Sequence, residues 1–125
     1  MTTTVAVDFD GPIHTYDRGW HDGSIYGELT PGASAALTRL MAKHAVFVHT
    51  SRNPKQVATW IERRTGYGIE CITRISVLPW RRRFWTQTGL LLVTDRKLPA
   101  IAYIDDRGIR FHDWTQALRE MNALC

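Results

Sequence analysis

Two aspartates separated by one residue follow a short apolar run near the start of the chain, in the segment VAVDFDG at residues 5–11. A run of small and branched apolar residues predicts a strand that is buried on both faces, as in a parallel sheet. Asp8 and Asp10 lie where this strand ends, and Gly11 allows the backbone to turn away. Because residues i and i+2 of a strand point the same way, both carboxylates can start on one side. Such a pair can bind a hard cation such as Mg²⁺, and it can provide a nucleophile and a separate acid/base.

Similar strand ends recur twice further along the chain. The apolar residues 45–48 run into His49-Thr50-Ser51-Arg52, and the apolar residues 100–104 run into Asp105-Asp106. Open α/β sheets bind ligands in the crevice outside the carboxyl ends of their strands. Three strands that end in groups able to hold a phosphate or a metal therefore predict a single site.

The order of the elements predicts one three-layer α/β domain over residues 1–125, with a mainly parallel central sheet. Strands are expected at about 4–8, 45–49, 90–94 and 100–105, and the loosely alternating residues 70–77 are compatible with another. Residues 12–29 are rich in Gly, Asp, Tyr and His and predict a hairpin or flap. Thr30-Pro31, Asn53-Pro54 and Asp113 are start signals for three helices.

Composition places the chain among globular proteins, with 44% hydrophobic residues and no apolar stretch near the roughly 18 residues of a membrane span. Residues 1–4 lack the features of a signal peptide, and Cys71 and Cys125 have no metal-like spacing, so we expect a cytoplasmic protein with free thiols. The five histidines show no zinc-ligand spacing. The net charge of +4 is compatible with an anionic substrate or with nucleic acid.

Four elements, taken in order, resemble the haloacid dehalogenase-like (HAD) phosphohydrolases. They are DFDG at residues 8–11, an apolar strand that ends in Thr50, a lysine at Lys97, and an apolar strand that ends in Asp105-Asp106. The resemblance covers the chain from about residue 5 to the last helix. It implies a Rossmann-like sheet with the first strand central. It also implies a capless member of the family, because residues 12–29 are too few for a folded cap domain.

The resemblance assigns roles to these residues. Asp8 matches the nucleophile that becomes an aspartyl-phosphate, and Asp10 matches the acid/base. Thr50 matches the hydroxyl that binds the phosphoryl group. Lys97 matches the cation that neutralises the charges of the nucleophile and of the phosphoryl oxygens. Mg²⁺ is the implied cofactor, held by Asp8, Asp105-Asp106 and the backbone carbonyl of Asp10.

Substrate binding is expected from residues around these motifs. Ser51 is an alternative to Thr50 as the hydroxyl that binds the phosphoryl group, Gly11 is a candidate in the turn after the first strand, and Arg18 and Arg52 are candidates through their charge. The expected substrate is a phosphomonoester, either a phosphorylated small molecule or a nucleotide. One position departs from the family pattern, since Pro12 follows DFDG and has no N–H to donate to a phosphate.

Several alternatives stay open. The basic and aromatic segment WRRRFW at residues 80–85 could grip phosphates and stack bases, which would indicate a phosphatase for nucleotides or nucleic-acid ends. The same segment could instead be a solvated helix face whose aromatic residues pack inward. A catalytically idle HAD fold that serves as a binding module is another alternative, as is a receiver-like domain that accepts a phosphoryl group. The sequence does not specify the physiological substrate or the oligomeric state.

Overall fold

The structure, a computed structural model, describes residues 2–73, 83–105 and 109–124. In these ranges six strands form one sheet in the order β3-β4-β2-β1-β5-β6, and every described pair is parallel. The strands are β1 (Thr4–Asp8), β2 (Ala45–His49), β3 (Ile69–Ile72), β4 (Leu91–Thr94), β5 (Ala102–Asp105) and β6 (Ile109–Arg110). The helices are α1 (Ala33–Lys43), α2 (Pro54–Thr65) and α3 (Trp114–Leu124). The prediction of an α/β fold with a mainly parallel sheet is confirmed, and β1 lies inside the sheet between β2 and β5.

The two faces of the sheet are covered differently. Val5 and Val7 of β1 face a core that includes buried residues of all three helices, whereas Ala6 faces a second core that contains Trp85 and Leu98. The described helices therefore pack on one face, and the described cover of the other face is not helical. The three-layer arrangement predicted from the sequence is absent from the described ranges, while residues 74–82 between β3 and β4 lie outside them.

Strand order explains which connections lie on which face. The chain moves across the sheet in one direction from β1 to β2 and on to β3, and it then reverses from β3 through β4 to β5. Because crossovers between parallel strands are right-handed, connections in opposite directions cross opposite faces. This agrees with the positions of α1 and α2 in the first core and of Leu98, which follows β4, in the second core.

The start signals of α2 and α3 act as predicted. The Asn53 side chain accepts hydrogen bonds from the backbone N–H groups of Lys55 and Gln56, and Pro54 occupies the first turn. An Asp113 carboxylate oxygen accepts a hydrogen bond from the N–H of Gln116 at 2.8 Å. Both caps satisfy amide groups that have no partner inside a helix.

The predicted cap of α1 is wrong. This helix begins at Ala33 after Gly32, which has a φ of 82° and makes no side-chain cap. The Thr30 hydroxyl instead donates to the carbonyl of Gly11 at 2.7 Å. Thr30 thus joins the end of the predicted flap to the loop that follows β1.

Residues 12–29, which we call the flap, form turns without a helix and are closed at their base by backbone hydrogen bonds. The N–H of Thr15 donates to the carbonyl of Glu28 at 2.9 Å, and the N–H of Thr30 donates to the carbonyl of Ile13 at 2.7 Å. The flap therefore leaves the sheet after Asp10 and returns before α1. No helix in the described part of the chain is long and apolar enough to span a membrane.

Candidate active site

Two acidic residues lie side by side at the carboxyl edge of the sheet. Asp8, the last residue of β1, is in register with His49 of β2. On the other side Val7 is in register with Ile104 of β5, so the next residues along both strands are Asp8 and Asp105. Side chains alternate along a strand, so Asp8, His49 and Asp105 share the face of the second core. The structure brings together two of the carboxylates that the sequence predicted for one site.

Electrostatic effects on His49 place Lys97 near the same edge. Burial lowers the pKa of His49 from its usual value, and the positive charge of Lys97 lowers this pKa further. The carboxylates of Asp95 and Asp105 act in the opposite direction. The ammonium of Lys97 is 5.9 Å from the ring centre of Tyr103, two residues before Asp105 on β5. Lys97 itself is exposed.

Asp10 has different surroundings from Asp8. One Asp8 carboxylate oxygen accepts a hydrogen bond from the N–H of Phe9 at 2.9 Å, and Asp8 stays at the sheet edge. The carboxylate of Asp10 faces the flap instead, where Nε of Arg52 contacts both of its oxygens at 3.1 and 3.2 Å. Nδ1 of His14 contacts the same carboxylate at 2.9 Å. Asp10 is therefore held by two donor side chains beneath the flap.

Arg52 connects Asp10 to the flap backbone. Its side chain is only 3% exposed, and Nη1 donates to the carbonyl of Gly23 at 2.7 Å. The guanidinium lies 4.6 Å from the ring centre of Trp20 and 5.7 Å from that of Tyr16. Nη2 is buried and has no hydrogen-bond partner in the described structure. The predicted role of Arg52 in substrate binding stays a prediction, and its observed contacts are with the flap and Asp10.

His14 was expected from the sequence only to border the opening of the site, and the structure shows it in contact with Asp10. The fully buried ring stacks on Phe9 with centres 5.3 Å apart, and its Nε2 lies 2.9 Å from the N–H of Gly27. A backbone N–H only donates, so Nε2 is the acceptor and the proton of a neutral ring lies on Nδ1, directed at Asp10. The spacing of four residues from Asp10 was the one available signal in the sequence.

Two hydrogen bonds hold the predicted phosphate-binding loop after β2, one inside the loop and one to the end of β4. Thr50 is 2% exposed, and its hydroxyl accepts a hydrogen bond from the N–H of Arg52 at 3.0 Å. The N–H of Thr50 donates to the carbonyl of Thr94 at 3.1 Å. Ser51, which lies between Thr50 and Arg52 in the chain, is exposed. Thr50 is thus fixed at the edge where β2 and β4 end.

The loop after β1 is fixed in a similar way. Gly11 has a φ of 100°, which favours glycine, and its N–H donates to the carbonyl of His14 at 2.8 Å. Pro12 is buried, and its carbonyl accepts a hydrogen bond from Nε1 of Trp114 at 2.9 Å. The residue that departs from the family pattern therefore anchors the flap entry to α3.

Arg18 lies on the flap itself. Its guanidinium carbon is 4.3 Å from the ring centre of Tyr26, and its N–H donates to the hydroxyl of the same tyrosine at 2.8 Å. Arg18 is exposed, so its predicted contact with a substrate stays a prediction.

The structure describes some of the predicted magnesium ligands and not others. Asp8 and Asp105 lie at the ends of adjacent strands, but Asp106 lies outside the described residues. Among the described residues, no group of three or more His, Cys, Asp or Glu side chains could hold a metal ion. The carboxylate oxygens of Asp8 and Asp105 are of the type that Mg²⁺ prefers, and Mg²⁺ keeps several waters, so two carboxylates fit its chemistry.

Only part of the basic and aromatic segment 80–85 is described. Trp85 is 1% exposed and packs in the second core, whereas Phe84 is 61% exposed. Residues 83–88 are not helical, and residues 80–82 lie outside the described ranges. Trp85 therefore packs inward, as expected if the aromatic residues of this segment belong to the core and do not stack bases.

The chain matches no protein-family model, no curated protein and no solved structure.

Proposed function

We propose that this protein is a magnesium-dependent phosphohydrolase of the HAD type that acts on a phosphomonoester through an aspartyl-phosphate on Asp8. The observation that supports this most strongly is the position of Asp8 beside Asp105 at the carboxyl edge of a parallel sheet. This edge is where α/β folds bind ligands. The positive charge of Lys97 close to the same edge adds a partner for a phosphate.

Each side chain has a defined part in the proposed reaction. A carboxylate oxygen of Asp8 attacks phosphorus, the ester oxygen takes a proton from the carboxyl form of Asp10 as it leaves, and Asp10 regains a proton from the water that hydrolyses the acyl phosphate. Lys97 and the Thr50 loop would bind the phosphoryl oxygens. Asp8, Asp105, Asp106 and the carbonyl of Asp10 would hold Mg²⁺, which when bound offsets the repulsion between carboxylate and phosphate.

The arrangement around Asp10 supports its separate role. Asp8 is at the strand end, where it can approach phosphorus, while Asp10 is turned toward the flap and is oriented by Arg52 and His14. A group that transfers a proton works best when its geometry is set before the substrate arrives. Two carboxylates in different surroundings are suited to two different tasks.

A nucleotide substrate is the second candidate. Two of the exposed large apolar side chains in the described ranges, Tyr16 at 36% and Trp20 at 50%, lie on the flap beside Arg52. Exposed aromatic rings next to a cation can stack a base. This favours the flap over Trp85 as the place where a base would bind, because Trp85 is buried.

Hydrolysis of para-nitrophenyl phosphate tests the proposed function. We expect the purified protein to release nitrophenol when Mg²⁺ is present, and we expect this release to stop when a chelator is added. The Asp8→Asn variant should be inactive, whereas Glu62→Gln, which removes an exposed carboxylate on α2, should match the wild type. Activity that survives in Asp8→Asn would contradict the proposed nucleophile. A folded wild type that hydrolyses no phosphomonoester in a substrate panel would instead favour the idle binding module.

Comparison of substrates separates the two candidates. If the flap binds a base, kcat/KM for nucleoside monophosphates should exceed that for sugar phosphates, and Trp20→Ala should lower it only for the nucleotides. Equal values for both substrate classes, unchanged in Trp20→Ala, would remove the nucleotide candidate.

A further inference from the structure

Two separate connections run from the carboxylate of Asp10 to the backbone of the flap. The first runs through Arg52, whose Nε contacts Asp10 and whose Nη1 donates to the carbonyl of Gly23. The second runs through His14, whose Nδ1 contacts Asp10 and whose Nε2 accepts the N–H of Gly27. Both connecting side chains are almost completely buried. The flap and Asp10 therefore share two partners that solvent does not screen.

The connection through His14 depends on a glycine. A Cβ atom at residue 27 would lie 2.3 Å from the hydroxyl of Thr15, 2.5 Å from its carbonyl oxygen and 2.9 Å from Nε2 of His14. The second of these neighbours is backbone, which cannot turn aside as a side chain does. Only glycine thus allows the flap amide to approach the imidazole at hydrogen-bond distance.

The ring of His14 has little freedom to adopt another orientation. Phe9 stacks on it with an angle of 9° between the planes, and Trp60 meets it edge-on with centres 5.6 Å apart. Rotation of the ring by half a turn would put ring carbons in the places of its two nitrogens and break both hydrogen bonds. The packing therefore keeps the donor nitrogen on Asp10 and the acceptor nitrogen on the flap.

We propose that the flap positions the Asp10 carboxylate through His14, so that the Gly27 amide, the imidazole and the carboxylate act as one unit. His14 is a positioning residue here, since it contacts neither the nucleophile Asp8 nor, in our proposal, the phosphate. The role of His14 in catalysis rests on the proposed function, because this role requires Asp10 to be the acid/base. The physical coupling between Asp10 and the flap does not depend on the proposed function.

Two substitutions of His14 separate its two hydrogen bonds. In Asn the side-chain amide lies near the place of Nδ1, so His14→Asn keeps a donor for Asp10 and loses the acceptor for Gly27. In Gln the amide lies near the place of Nε2, so His14→Gln keeps an acceptor for Gly27 and loses the donor for Asp10. Both replacements remove the aromatic ring, so a role in packing alone would affect them alike.

The expected kinetics differ between the two variants. His14→Gln should lower kcat for para-nitrophenyl phosphate by roughly 10- to 100-fold with little change in KM, since misplacement of a reacting group by about 1 Å is worth up to about 10²-fold. His14→Asn should lower kcat less. Equal losses in the two variants, or an unchanged kcat in His14→Gln, would overturn the positioning role.

Hydrogen exchange measures the coupling without any substrate. In the wild type the amide of Gly27 should be protected, and this protection should be lost in His14→Asn. The protection should also be reduced in Asp10→Ala, although the side chain of Asp10 does not touch Gly27. Gly27→Ala should lower kcat although every catalytic side chain is kept. Its matched control is Gly68→Ala, where a Cβ would meet only a flexible Leu90 side chain at 3.3 Å, and this variant should match the wild type.

These outcomes distinguish the two proposals. An inactive wild type in which Asp10→Ala still loosens the flap would remove the proposed function and keep the coupling. An active wild type in which Asp10→Ala leaves the exchange of Gly27 unchanged would keep the phosphatase and overturn the coupling.

Discussion

Nε of Arg52 contacts both carboxylate oxygens of Asp10, at 3.2 and 3.1 Å, and the two side chains are 3% and 17% exposed. The two residues are 42 positions apart and follow two neighbouring strands, β1 and β2. Opposite charges attract more strongly where water is excluded. This ion pair therefore joins the two loops that supply most of the proposed active site.

Loss of the Arg52 charge should destabilise the protein. We expect Arg52→Met to lower the free energy of unfolding by about 2–3 kcal/mol, because it leaves the Asp10 carboxylate partly buried without its cation. The cost is below that of a fully buried pair, since Asp10 keeps some contact with water. Urea denaturation measures this difference.

A double substitution provides the control for this prediction. Arg52→Met combined with Asp10→Asn removes both charges and should be more stable than Arg52→Met alone. If Arg52→Met unfolds at the same urea concentration as the wild type, the ion pair contributes nothing and our account of the two loops is wrong.

His44 should make stability depend on pH. Burial is the main cause that lowers its pKa from the usual 6.5, and the charge of Lys43 lowers it further. Between the lowered value and 6.5 the unfolded chain binds more protons than the folded one, so the free energy of unfolding rises with pH. The contribution is fully present above about pH 6.5 and is lost as the pH falls through 6.5 toward the lowered pKa.

Urea midpoints between pH 5 and pH 7.5 test the contribution of His44. The curve of midpoint against pH should be flatter for His44→Gln than for the wild type. Some slope should remain, because burial also lowers the pKa of His49. Parallel curves for the two proteins would show that His44 does not contribute.

Trp85 and Phe84 should respond in opposite ways to removal of their rings. Trp85→Ala should cost about 3–5 kcal/mol of stability because the indole is 1% exposed in the second core. Phe84→Ala should change stability by less than about 0.5 kcal/mol because the ring is 61% exposed. Thermal unfolding of both variants gives the comparison, and a similar loss in both would contradict the packing described for this segment.

Binding of a single-stranded oligonucleotide extends the comparison. If the segment around residues 83–85 stacks bases, Phe84→Ala should weaken binding while leaving stability unchanged. Unchanged affinity in Phe84→Ala would argue against this part of the nucleic-acid interpretation.

The strand ends could be predicted because their signal is local. Apolar runs of four or five residues gave β1, β2 and β5 with bounds close to those observed, and a parallel sheet places such ends at one edge. The adjacency of Asp8 and Asp105 follows from strand order. Before the structure, only the central position of the first strand was expected, and the family resemblance alone implied it.

The long-range hydrogen bonds of side chains could not be predicted, because they depend on tertiary contacts. Thr30 and Asn53 each precede a proline, yet only Asn53 caps its helix. The Thr30 hydroxyl is bound by the carbonyl of Gly11, 19 residues earlier, which no local rule anticipates. In the same way, the partners of His14 and Arg52 become neighbours only when the flap folds over Asp10.

Chemical trapping of the phosphorylated enzyme tests the central claim most directly. Borohydride reduces an acyl phosphate of aspartate to homoserine, which mass spectrometry locates in a peptide. When the wild type is quenched during turnover of para-nitrophenyl phosphate with Mg²⁺ and then reduced, we predict homoserine at position 8. Homoserine at another aspartate, or turnover without any homoserine, would contradict the assignment of Asp8 as the nucleophile.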